Sequence, residues 1–105
     1  MKKWRILMKG TNFRMEFEEG TRSRVRRMGS VTNVFLTART PREAELRAVA
    51  VVRRDKSLRN AVRNEVGDPP LLFADEIDEI ASFKGCRRPR QGLAFYPERG
   101  PKRKK

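Results

Sequence analysis

The stretch TPREAELRAVAVV, residues 40–52, decides the architecture. Thr40 is an N-cap residue, Pro41 takes the first helical position, where its missing N–H costs nothing, and Glu43 stands three residues after the cap as the reciprocal member of a capping box. A helix therefore begins at Thr40. Ala44, Ala48, Val51, Leu58 and Val62 recur at spacings of 4, 3, 7 and 4, which places them on one face that can pack on a sheet. Asp55 falls on the same stripe, so a stop near Arg54 and a restart at Ser57, a good N-cap, is open to the chain. Gly67, Asp68, Pro69 and Pro70 end the helical region.

On the N-terminal side of that helix, Val25 to Ala38 reads as a strand with Gly29 as a bulge or bend, and Val31, Val34, Phe35 and Leu36 are its core contributors. A polar turn, Glu18 to Arg24, precedes it around Gly20. Before the turn, Trp4, Ile6 and Met8 alternate with Arg5 and Lys9, and Phe13, Met15 and Phe17 alternate with Arg14, Glu16 and Glu18. Gly10, Thr11 and Asn12 interrupt the alternation, giving either a hairpin or one long strand broken by a bulge. On the C-terminal side, Leu71 to Ala74 reads as a buried strand that continues weakly to Ile80. Gly85 to Gly92 is a basic loop, and Leu93 to Tyr96 a short last strand before Pro97.

The order strand, strand, helix, strand, strand defines an α+β chain, a small antiparallel sheet with one main helix packed on one face. That arrangement buries each apolar stripe once. The expected domain spans residues 1–97, followed by a basic, disordered tail at 98–105, because no apolar residue from Glu98 onward can anchor the chain.

Composition narrows the function. The formal net charge is +13 over 105 residues, yet Lys and Arg are absent from Glu65 through Phe83, so a basic chain carries one acidic segment. A chain this basic attracts polyanions. A mean hydropathy of −0.78 would suit disorder, but the apolar residues recur in periodic runs, which argues for a fold. The longest apolar run, Ala48 to Val52, is too short to span a bilayer, and the Lys2, Lys3, Arg5 start lacks the apolar segment of a secretory signal, so a cytoplasmic location is expected. Cys86 is the one cysteine and agrees with a reducing compartment.

The chain has no histidine, the usual general base and commonest metal ligand, and one cysteine cannot build a zinc site. No catalytic residue, metal, cofactor or small-molecule substrate is therefore expected. Lys84, Arg87 and Arg88 would favour a Cys86 thiolate, but with no histidine to act as base the thiol reads as incidental.

Three arginine-rich clusters carry the positive charge: Arg22, Arg24, Arg26 and Arg27 before the second strand; Arg53, Arg54, Lys56, Arg59 and Arg63 on the late helix; and Lys84, Arg87, Arg88 and Arg90 in the last loop. Arginine outnumbers lysine in them by 11 to 2. Its planar fork grips phosphate in a bidentate way and stacks on bases, which suits nucleic acid better than general solubility does. The plain alternative is a set of solvated basic faces with no ligand. Asp75, Glu76, Asp78 and Glu79 form the acidic cluster, read either as a charged edge that resists sheet-to-sheet pairing or as a protein-binding face.

Two resemblances follow from particular residues. Val34 through Val52, a strand ending in Thr37, Ala38, Arg39 and Thr40 and followed by a helix carrying Glu43 and Ala44, resembles the strand-to-helix passage of HicB-type antitoxins. That likeness implies a small partial RNase H-like sheet and a toxin partner, with the acidic segment as the contact for a basic ribonuclease. Trp4, Ile6, Gly10, Asn12 and Phe13, with Phe95, Tyr96, Pro97 and Glu98, are similar to a group of short bacterial proteins of unassigned function. Neither likeness carries catalytic residues across.

The expectation is a non-enzymatic protein that binds nucleic acid, RNA or single strands rather than a specific duplex site. The binding residues would be Arg24, Arg26, Arg27, Arg53, Arg54, Lys56, Arg59, Arg63, Arg87, Arg88 and Arg90. The competing expectation is an interaction module in which an edge strand and Asp75, Glu76, Asp78 and Glu79 engage a protein partner or a second copy of the chain.

Overall fold

The computed structural model describes residues 1–56 and 62–98. The elements run β1 (Lys2–Glu19), β2 (Arg22–Ala38), α1 (Pro41–Arg53), β3 (Leu71–Ile80) and β4 (Arg90–Pro97). The strands form one antiparallel sheet in the order β3-β1-β2-β4, with α1 on one face. The chain is thus α+β, as its pattern predicts. Leu58, Arg59 and Ser57, with the proposed restart, lie outside the described residues, as does the tail beyond Glu98.

β1 is a single long strand with a bulge. Its register against β2 slips between Gly10 and Phe13, and Asn12 sits at a φ of 62°, a left-handed conformation that asparagine tolerates better than most residues. Gly10 is required on the inner side, since a Cβ there would meet the Phe13 ring at 2.3 Å and Ser30 Oγ at 2.5 Å. The slip keeps Phe13, Met15 and Phe17 on the side already used by Trp4, Ile6 and Met8.

The turn is tighter than its polar sequence implies. Glu19 pairs with Arg22 across Gly20 and Thr21, because Gly20 adopts the positive φ of 64° that a two-residue hairpin turn needs. Arg22 and Arg24 consequently lie on a strand. β3 pairs only with residues 3–11 of β1 and β4 only with residues 28–34 of β2, so residues 13–19 and 22–27 continue past the sheet as a two-stranded ribbon.

Trp4, Ile6, Met8, Phe13 and Met15 of β1, Met28, Val34, Leu36 and Ala38 of β2, and Ala44, Ala48 and Val52 of α1 make the core. Small alanines let the helix approach the sheet closely, and Trp4 Nε1 donates to Ala38 O at 2.9 Å, which satisfies the buried indole. The helix cap forms as its sequence predicts: Glu43 N donates to Thr40 Oγ1 at 3.1 Å. The Glu43 carboxylate accepts from Arg39 N rather than from the cap residue's own amide, and that bond, with the nearby Arg47 and Arg39 charges, holds its pKa below the ordinary value.

Three expectations are corrected. The stop near Arg54 that Asp55 suggests is found, with the helix ending at Arg53 and Arg54 as its C-cap, but Val62 forms an isolated bridge with Met15 instead of extending the helical stripe. The Asp55 position explains the stop, since continuing the helix would turn a carboxylate toward the apolar sheet, whereas here it pairs with Arg90. Leu71 and Phe73 are 61% and 40% exposed rather than buried, because β3 is an edge strand covered by α1 on only one side. Glu98, expected to begin the loose tail, is tied down: its amide donates to Arg27 O at 3.0 Å and its carboxylate accepts from Asn12 N at 3.0 Å.

Candidate nucleic-acid interface

The end of α1 and the segment before β4 meet at the edge of β2. Asp55 leaves the helix and takes the Arg90 guanidinium, fixing the start of β4 against the helix end, and Phe35 N donates to Pro89 O at 2.8 Å. Between them lies a cleft of about 580 Å³ lined by Val51, Arg54, Asp55, Lys56, Arg87, Pro89 and Arg90. Residues from two of the three basic clusters, more than thirty positions apart in sequence, are thus brought together around one hollow. Among the described residues, four cations and one carboxylate line it, and that carboxylate, Asp55, is already engaged by Arg90.

The furrow continues along the helix. A second hollow of about 340 Å³ shares Val51 and Arg54 and adds Leu36, Thr37, Arg47 and Ala50. Arg47 is held there, donating to Thr37 O at 2.9 Å and contacting Glu43 at 3.3 Å. Part of the helix-end charge has a plainer role: Arg53 and Arg54 sit where the negative end of the helix dipole favours cations, by about 0.3–1 kcal/mol.

The other candidate residues are dispersed. Arg88 stacks on the Phe83 ring, 4.0 Å from its centroid, beside the cleft but not in its lining. Arg63 is not on the helix. Its amide donates to Arg14 O and its side chain contacts Glu16 at 3.2 Å, so it braces the ribbon. Arg24 and Arg26 lie on the ribbon and share Glu19, at 3.4 and 2.9 Å, whose pKa falls below the ordinary value chiefly through Arg26. Arg27 pairs with Glu98 at 3.3 Å. The ribbon's arginines are therefore largely matched by carboxylates of the same element or its base.

The ribbon base is stapled by polar groups that the sequence did not single out. Asn64 donates to Asn12 O and Asp68 O, both at 2.8 Å, and accepts from Arg14 N at 2.9 Å. Asp68 accepts from Asn12 and pairs with Arg14 at 3.1 Å, and these two partners lower its pKa, Asn12 most. Asx residues near prolines and glycines read locally as turns, which hides such long-range use.

The acidic segment faces its own chain. Asp75 pairs with Lys9 at 3.3 Å, Glu79 approaches Lys2 at 4.0 Å, and Glu76 and Asp78 both engage Arg5, Glu76 at 2.7 Å. These bonds raise the Arg5 pKa, with Glu76 the largest cause. Strict alternation along β3 would set Asp75 and Glu79 on one face and Glu76 and Asp78 on the other, but the β1–β3 register slips between Leu7 and Met8, opposite Asp75. Asp75 joins Glu76 and Asp78 on the Arg5 side. β3 remains an edge strand, and the slip and its charges discourage strand addition.

Among the described residues no helix is long and apolar enough to cross a membrane, and no group of three or more His, Cys, Asp or Glu side chains could hold a metal ion. Compared with known proteins, the chain matches no protein-family model, no curated protein and no solved structure.

Proposed function

We propose that this protein binds single-stranded nucleic acid, without catalysis, by running the sugar-phosphate backbone through the furrow between α1 and the start of β4. The observation that carries the reading is the convergence of Arg54, Lys56, Arg87 and Arg90 on one cleft whose described lining holds a single, already paired carboxylate. A concave, positively charged furrow suits the tracking of a single strand's backbone. Among the described residues no aromatic ring lines the cleft, so its contacts are to phosphate and carry little sequence information. Arg88 and Arg53 lie near enough in sequence to extend the track, and the basic residues of the ribbon supply a secondary, largely neutralised surface.

The reading as a protein-interaction module, with an antitoxin-like use of the acidic segment, draws less support, since Asp75, Glu76, Asp78 and Glu79 are each matched by a cation of β1. The test is fluorescence anisotropy with a labelled single-stranded RNA of about 12 nucleotides, spanning one site. Arg54→Glu with Arg87→Glu is expected to lower affinity at least tenfold and to flatten the salt dependence. Unchanged affinity and slope would reject the assignment.

A further inference from the structure

We propose that the face of the sheet opposite α1 is where two copies of this chain associate face to face. This goes beyond nucleic-acid binding and rests on different residues. The register places Lys3, Arg5, Leu7, Lys9 and Thr11 of β1 on that face, since Trp4, Ile6, Met8 and Gly10 point to the core. β2 adds Val31 and Asn33, and Arg5 reaches Asn33 Oδ1 at 2.7 Å along that face. β3 adds Leu71 and Phe73, and β4 adds Tyr96, whose ring lies on Gly29 so closely that a Cβ there would meet it at 2.5 Å.

The segment between β3 and β4 must cross the sheet where β1 begins, because Ile80 pairs with Lys3 and Arg90 with Val34. Phe35, on the same face at that end, is only 5% exposed. Among the described residues the face is open toward the ribbon. Leu71 is 61% exposed, and Phe73 and Tyr96 are each 40% exposed, with Leu7 and Val31 half-buried between them.

Charge identifies the occupant. A chain of net +13 repels its copies, but on this face Lys9 is matched by Asp75 and Arg5 by Glu76 and Asp78. A polyanion gains little from a neutral surface. A second copy can meet it without like-charge contact, because a basic row on β1 lies beside an acidic row on β3. A two-fold axis running along the strands between these rows sets each copy's β1 row over the partner's β3 row and joins the apolar patches. Strands about 4.8 Å apart and six residues rising about 3.3 Å each give a bare area roughly 20 by 20 Å per copy. That is small for a specific interface, so the dimer is expected to be weak and concentration-dependent.

The test is sedimentation equilibrium on nuclease-treated protein from about 5 to 200 µM, at about 0.1 and 0.5 M salt. A monomer–dimer equilibrium that strengthens at the higher salt is expected, because screening relieves the repulsion between copies. Leu71→Glu with Phe73→Glu should shift the protein to monomer while leaving its circular dichroism unchanged, and should leave RNA affinity intact. Should that pair unfold, Leu71→Lys alone, at the most exposed of these positions, serves the same purpose. A protein that is monomeric throughout, or a dimer indifferent to these substitutions, would overturn the proposal. Loss of RNA binding in the pair, with a monomeric wild type, would assign the face to nucleic acid instead.

Discussion

Replacing Asp55 with asparagine should make the protein bind nucleic acid more tightly while making it less stable. The Asp55 side chain is 8% exposed and the Arg90 side chain 29%, so their pairing is mostly shielded from water, though Arg90 keeps some access to it. Removing the carboxylate leaves a partly buried guanidinium without its charged partner, which costs about 1–2 kcal/mol, below the 3–5 kcal/mol of a fully buried pair. In a chain of this size that is roughly a 5–15 °C fall in Tm. The same change frees one cation beside Arg54, Lys56 and Arg87. One further phosphate contact steepens the single-strand salt slope by about 0.7, equivalent to roughly a fivefold gain in affinity near 0.1 M salt. Thermal melts and RNA titrations across salt would read both quantities on one sample. If affinity fell together with Tm, or the salt slope did not change, Arg90 would have no part in binding and the cleft assignment would be undermined.

Other consequences are local. Gly10→Ala places a methyl 2.3 Å from the Phe13 ring and should cost roughly 1–3 kcal/mol through overpacking, visible as a lower denaturant midpoint with an unchanged slope. Thr40→Ala removes the N-cap acceptor for Glu43 N and should cost about 1 kcal/mol, whereas Thr40→Asp should restore most of it. Asp68, Glu19 and Glu43 have lowered pKa values in the folded state. Their stabilisation is therefore complete above the ordinary carboxylate pKa of about 4 and is lost as pH falls through the lower folded values. Melts should be flat from neutral pH down to about 5 and fall below about 4, and Asp68→Asn should shrink that acid loss. An acid profile identical in Asp68→Asn would deny the ribbon-base cluster its role.

Much of the fold was legible because it rests on local chemistry. The Thr40, Pro41, Glu43 cap and the alternation around Trp4 and Phe13 each report a backbone preference within a few residues. What stayed hidden depends on partners far along the chain. Nothing near Asp55 announces that Arg90 will take its carboxylate, and Val62 and Arg63, placed by spacing on the late helix, pair instead with β1. The apolar run Leu71 to Ala74 resembles a buried strand in isolation, yet only its position at the sheet edge decides that Leu71 and Phe73 meet water.

The candidate site was legible by composition and not by geometry. Arginine enrichment marked the late helix and the last loop, and both reach the cleft through Arg54, Lys56, Arg87 and Arg90. The same signal marked Arg24, Arg26, Arg27 and Arg63 equally, although each pairs with a carboxylate. Charge counted along a sequence cannot see the cross-strand partners that cancel it. Asn12, Asn64 and Asp68 carried no signal beyond that of an ordinary turn.

The most direct test of the central claim is an amide chemical-shift map of the isotope-labelled protein titrated with single-stranded RNA at moderate salt. The largest changes are expected at Arg47, Arg54 to Lys56 and Arg87 to Arg90, with little at Arg22 to Arg27. Changes centred on the ribbon, or on Asp75 to Glu79, would contradict it.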